Sequence, residues 1–163
     1  MTDEITERAS RVLDACRAAG LMVATAESCT GGLVAGALTE IAGSSDVVDR
    51  GFVTYSNAAK QQMLGVPEAI LAAHGAVSEE TARAMARGAL AASQAQLSVA
   101  VTGIAGPGGA TETKPVGLVH FAAAKKGGMV LHREERFGDI GRTEVRRRSV
   151  LVALEMLETL ARF

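Results

Sequence analysis

The chain has very little aromatic character: 3% of its 163 residues, no tryptophan and the single tyrosine Tyr55. That scarcity argues against a stacking platform for single-stranded nucleic acid, which needs several aromatic faces in a row. Charge of one sign is lacking too. Seventeen basic residues stand against 18 acidic ones, a formal net charge of −1, so no global field gathers nucleic acid or an anionic membrane surface. Any anionic ligand must be held locally. Two cysteines, Cys16 and Cys29, are too few for a disulfide framework, and Met1 to Gly20 is charged and amphipathic where a secretion signal is apolar. A cytoplasmic location is expected. No apolar run approaches the roughly 20 residues of a membrane helix, so no membrane span is expected. No His/Cys/Asp/Glu spacing matches a metal site, and the predicted chemistry is metal-independent and without a cofactor.

What is present is a 48% hydrophobic chain long enough for one sizeable core, with no composition break, so residues 1–163 are read as a single domain. Ile5, Ala9, Val12, Leu13 and Cys16 recur at helical spacing after a cap at Thr2 or Asp3, and Gly20 is placed to end that helix. Short apolar runs at Leu21 to Ala26 and Leu97 to Thr102 read as strands, and a further strand is predicted over Asp49 to Tyr55. Helices are predicted from Leu33 to Ile41, from Ala58 to Leu64 before a turn at Gly65-Val66-Pro67, and from a Ser78 cap to about Ala95. Val116 to Ala124 and Met129 to Phe137 flank Lys125-Lys126-Gly127-Gly128 as a hairpin, and a last helix runs from about Arg142 to Leu160. This order predicts a three-layer α/β/α fold with a mixed, mostly parallel sheet.

In such sheets, ligands gather at the loops leaving the carboxyl ends of the strands. Three loops qualify: Glu27 to Gly32, Ser56 to Lys60 and Gly103 to Gly109. If their strands are parallel neighbours, the loops converge on one crevice. The first loop holds two nucleophiles, Ser28 and Cys29, at a strand-to-helix turn whose free N-H groups favour an anion or oxyanion. A serine needs a base, and none of His74, His120 and His132 lies in these loops, which argues against a Ser-His-Asp triad. Lys60 is the only lysine before Gly109, and a lysine whose pKa is lowered by burial can serve as the base. Tyr55, five residues earlier, is placed to position or relay a proton to either group. Taken singly, Lys60 reads more readily as a solvated surface charge and Tyr55 as an ordinary strand-end aromatic.

A thiol at a helix N-terminus is activated, yet free cysteine commonly serves as a small buried hydrophobe, so Ser28 is favoured over Cys29. Glu27 either takes a proton, holds a substrate hydroxyl or amide, or caps the loop. Backbone N-H groups at Thr30, Gly31 and Gly32 are candidate oxyanion donors. The loop of Thr102, Gly103, Ala105, Gly106 and Gly108 lacks the P-loop ending and the dinucleotide fingerprint, and its glycines suit a nest for a closely approaching ligand or a tight turn. Arg142, with Arg146 and Arg147 following, reaches a phosphate or forms a solvated helix face.

Together, Thr25-Ala26-Glu27-Ser28-Cys29-Thr30-Gly31-Gly32, Tyr55-Ser56-Asn57 with Lys60, Gly75-Ala76-Val77-Ser78, Thr102 to Gly109 and Lys114-Pro115-Val116-Gly117 resemble the CinA C-terminal domain family, the nicotinamide-nucleotide amidases. The resemblance runs in order from about Glu4 to Leu160. It implies hydrolysis of the carboxamide of nicotinamide mononucleotide to nicotinate mononucleotide and ammonia, in pyridine nucleotide recycling, with Ser28, Tyr55 and Lys60 at the family's proposed catalytic positions. It also implies that the Thr102 to Gly109 loop contacts the nucleotide and that the chain is a homo-oligomer, for which the small-residue helix after Ser78 and the apolar last helix offer surfaces for a symmetric dimer; the chain is read as a stand-alone amidase or a degenerate partner. Two readings stay beside it: a non-catalytic nucleotide-binding module linked to competence or DNA-damage responses, and a hydrolase of other carboxamides.

Overall fold

In the computed structural model, which describes residues 1–163, the amino-terminal periodicity becomes helix α1 (Asp3–Ala19). Thr2 caps it by accepting the Ile5 N-H, and Gly20 ends it in the left-handed region at φ 68°, where a side chain is strained. The chain then forms β1 (Val23–Glu27), α2 (Leu33–Thr39), a 3₁₀ turn (Ser44–Asp46) and β2 (Val48–Val53). Three helices follow, α3 (Asn57–Leu64), α4 (Glu68–His74) and α5 (Glu79–Ala91), then β3 (Leu97–Gly103), β4 (Leu118–Lys125), β5 (Val130–Arg136) and α6 (Arg142–Ala161).

The five strands form one sheet in the order β2-β1-β3-β4-β5. β1 pairs parallel with both β2 and β3, whereas β3 with β4 and β4 with β5 pair antiparallel. Four strands thus share one direction and only β4 opposes them. The chain leaves β1 to one side and returns through α3 to α5 to place β3 on its other side, so a topological switch lies between β1 and β3.

Both sheet faces are covered, which is why the inner strands read as continuous apolar runs with no alternation. On one face, Val23, Leu97, Val99, Val101, Val119 and Phe121 pack with α1, α2 and α6. The opposite face presents Ala24, Ala26, Ala100, Ala122 and Ala124 to Met85, Ala86 and Ala89 of α5 and to Leu64 of α3. Small side chains there let α5 lie close to the sheet, the layer against which α3 and its Lys60 are set.

Most bounds lie within two residues of the expectation, and two features depart further: an added helix and the end of α5. α4 follows the predicted turn at Pro67: its N-cap is Pro67 itself at φ −62°, and seven residues are too few to show a helical period. α5 stops at Ala91 instead of about Ala95, because the Gln94 N-H donates to Asp49 Oδ2 at 2.8 Å and leaves the helical ladder.

Candidate active site

The ladders that hold β1 continue one residue past the strand on each side. Ser28 N-H donates to the Val101 carbonyl of β3 at 2.9 Å, and Thr54 N-H donates to the Glu27 carbonyl at 2.8 Å. The turn after β1 is therefore fixed at the middle of the sheet, between the loops leaving β2 and β3. These three loops do converge, on a crevice of about 260 Å³ lined by Ser28, Cys29, Tyr55, Lys60, the Thr102 to Ala105 strand end and Arg142.

Ser56 caps α3 by accepting the Ala59 N-H at 3.0 Å, which turns the next residue, Lys60, inward. Lys60 is 1% exposed, among the largest fully buried side chains of the molecule. Its Nζ lies 3.0 Å from Ser28 Oγ and donates to the carbonyls of Thr54 at 2.8 Å and Tyr55 at 3.3 Å. None of the three partners is a carboxylate, so no anion compensates the buried charge, and burial pushes the Lys60 ammonium below its ordinary range. A neutral amine has two N-H donors and one lone pair. In that form both donors would lie on the main-chain carbonyls and the lone pair would be left for the Ser28 hydroxyl.

Tyr55 lies at the mouth, its side chain set differently. The phenol oxygen accepts from Arg142 Nη2 at 3.0 Å, and its contact with Lys60 is through the main-chain carbonyl alone. Cys29, next to Ser28, is buried, and burial pushes its thiol up to about 12. At neutral pH it is a thiol and a poor nucleophile.

Glu27 is 1% exposed and turned away from the crevice. Its Oε1 accepts from Thr30 Oγ1 at 2.6 Å and Val34 N at 2.9 Å, and its Oε2 accepts from Ala35 N at 3.1 Å. Val34 N and Ala35 N are early N-H groups of α2, so the carboxylate is a cap for a helix whose N-cap, Gly32, has no side chain to do this. Of the expected oxyanion donors, Gly31 N-H donates to the Ser28 carbonyl at 3.0 Å, and neither Thr30, Gly31 nor Gly32 lines the crevice. Arg146, also read as a phosphate ligand or solvated residue, instead donates to the Cys29 carbonyl at 3.1 Å and the Thr30 carbonyl at 3.4 Å, tying the Ser28 turn to α6.

On the opposite wall, Ile104 anchors the glycine loop by donating to the Leu118 carbonyl at 2.9 Å. A Cβ on Gly103 would lie 2.7 Å from Val119 Cγ2, and Gly106 adopts φ 84°, so at both positions glycine is required. The N-H groups of Ala105, Gly106 and Gly108 donate to no main-chain carbonyl and border the crevice. Thr102 Oγ1 donates to the Ala76 carbonyl at 2.8 Å, drawing Ala76 and Val77 in as a further wall. That wall was not assigned from sequence; its signal was the short Gly75 to Ser78 link ahead of a helix cap.

Fold and crevice define a class: a three-layer α/β protein whose strand-end site pairs a serine with a buried, uncompensated lysine. The chain belongs to the CinA C-terminal domain family, whose model matches residues 5–161. It is 53% identical over 159 residues to the nicotinamide-nucleotide amidohydrolase PncC of Escherichia coli K12, covering 96% of this chain and 95% of that protein. It is 54% identical over 140 residues to a CinA-like protein of Anaeromyxobacter dehalogenans, covering 86% of this chain but 34% of that longer protein. The crystal structure of the competence/damage inducible protein CihA from Agrobacterium tumefaciens superposes with a TM-score of 0.96 at 61% identity, covering 98% of this chain and 97% of that one.

Proposed function

We propose that the protein hydrolyses the carboxamide of nicotinamide mononucleotide, giving nicotinate mononucleotide and ammonia. The observation that carries this reading is the 3.0 Å approach of Lys60 Nζ to Ser28 Oγ, and the amidohydrolase relative that spans nearly the whole chain supports the substrate. Neutral Lys60 takes the Ser28 hydroxyl proton as Oγ attacks the carboxamide carbon. The N-H groups of Cys29, Ala105 and Gly106, which have no main-chain acceptor and belong to crevice-lining residues, would receive the oxyanion. As the tetrahedral centre collapses, the Lys60 ammonium returns the proton to the leaving nitrogen, the C-N bond breaks and ammonia departs. Water then attacks the acyl-serine ester as Lys60 takes its proton, the bond from the acyl carbon to Oγ breaks, and the Lys60 ammonium returns the proton to Oγ, releasing the acid with Ser28 and neutral Lys60 restored. Arg142 and the free N-H groups of the glycine loop receive the 5′-phosphate. The reading needs no metal and no nucleic acid, and takes a cytoplasmic homodimer as the working form.

Ammonia release from the mononucleotide tests it. Ser28→Ala and Lys60→Ala should each lower kcat by about a thousandfold or more, because the pair acts as a unit. Cys29→Ala should stay within about tenfold of wild type, as expected of a group that does no chemistry. Full activity in Ser28→Ala would sink the mechanism. Tight binding of the mononucleotide with no ammonia from the wild type would leave a binding module in place of an enzyme.

A further inference from the structure

Tyr55 is the crevice residue whose side-chain hydrogen bond points away from the reacting pair. Its phenol oxygen accepts from Arg142 Nη2 at 3.0 Å, while Nη1 of the same guanidinium donates to the Gly106 carbonyl at 2.8 Å. These two contacts come from different nitrogens, so together they fix the plane of the group. A guanidinium carries five N-H donors, and three remain free for a ligand. Arg142 is the first residue of α6, on a long side chain that otherwise samples many rotamers, and holding it before the ligand arrives reduces the ordering cost of binding. The side chain of Tyr55 is at the mouth, with the residue 62% exposed, so its hydrogen bond adds little to the stability of the fold. A proton relay needs hydrogen-bond reach to Ser28 or Lys60, and the phenol has neither contact.

We infer that Tyr55 is a positioning residue for the phosphate end of the substrate: its phenol holds Arg142 in place for a 5′-phosphate monoester and moves no proton at Ser28. The inference rests on the mononucleotide reading above. Tyr55→Phe is the informative variant, since it removes only the phenol oxygen and keeps the main-chain carbonyl that Lys60 uses. Steady-state kinetics with nicotinamide mononucleotide should show KM raised roughly three- to tenfold with kcat within about twofold, the size expected for one lost orienting hydrogen bond. Turnover of nicotinamide riboside, which has no phosphate, should lose far less in kcat/KM than turnover of the mononucleotide. Tyr55→Phe added to Arg142→Gln should raise KM no further than Arg142→Gln alone, because the phenol acts only through that arginine.

A fall in kcat on both substrates with a displaced pH profile would overturn the inference in favour of a relay, and so would wild-type values throughout. If the wild type releases no ammonia from either compound, it is the amidase reading that fails. Calorimetric binding of the mononucleotide then decides Tyr55: several-fold weaker binding in Tyr55→Phe supports the positioning role, and unchanged binding removes it.

Discussion

At the scale of single residues, Lys60 ties the chemistry to pH. In the unfolded chain it is an ordinary lysine, protonated far into the alkaline range, whereas burial in the folded protein lowers its pKa. Between those two values the unfolded state binds more protons than the native state, so stability rises with pH. The cost of burying the amine is fully present below the folded pKa and is relieved as pH climbs through it. Comparing the wild type with Lys60→Met therefore gives a signed expectation. Relative to the variant, the wild type should gain thermal stability as pH is raised from about 7 to about 10, while the variant releases no ammonia at any pH. Melting curves across that range check it, and a constant difference would mean that Lys60 stays charged in the fold.

At the scale of elements, the position of that lysine depends on how closely α3 lies on α5. A Cβ on Gly88 of α5 would overlap the carbonyl of Leu64, the last residue of α3, so only glycine permits the contact. Gly88→Ala should push α3 outward, costing roughly 1 to 3 kcal/mol as overpacking does, and should lower kcat more than it alters KM because Lys60 is displaced from Ser28. Denaturation together with kinetics measures both effects, and wild-type stability would show that the two helices are not in contact.

This helix contact was invisible in the sequence, where Gly88 is one small residue among several. The layers, the strand-end loops and the pairing of Ser28 with Lys60 were legible, because each rests on periodicity or on the scarcity of alternatives: one lysine and no histidine near the turn. What escaped depends on the main chain. The Thr54 and Tyr55 carbonyls that take the Lys60 protons have no side-chain signature, and neither have the α2 N-H groups that claim Glu27. Tyr55 was legible as a site residue but not in its partner, since Arg142 lies 87 residues away in sequence.

At the scale of the molecule, the sheet order determines what a ligand can couple. Because β1 lies between β2 and β3 and all three run the same way, the segments that follow them share one end of the sheet, and α6 brings Arg142 to the same end. The β4-β5 hairpin turn at 125–128 borders a different depression, lined by Arg87 and Val130. In Ser28→Ala, mononucleotide binding would persist without turnover and would stabilise the folded state by mass action, about 2.7 kcal/mol at a hundredfold excess over Kd. Amide hydrogen exchange resolves where that stabilisation is felt. Slowed exchange is expected together at residues 28–32, 54–60, 103–109 and 140–146, with the hairpin turn at 125–128 changing least. A ligand seated on the glycine loop alone would protect 103–109 and leave the β1 and β2 loops as they were, and that pattern would break the single-crevice account, because a carboxamide out of reach of Ser28 cannot be hydrolysed by it.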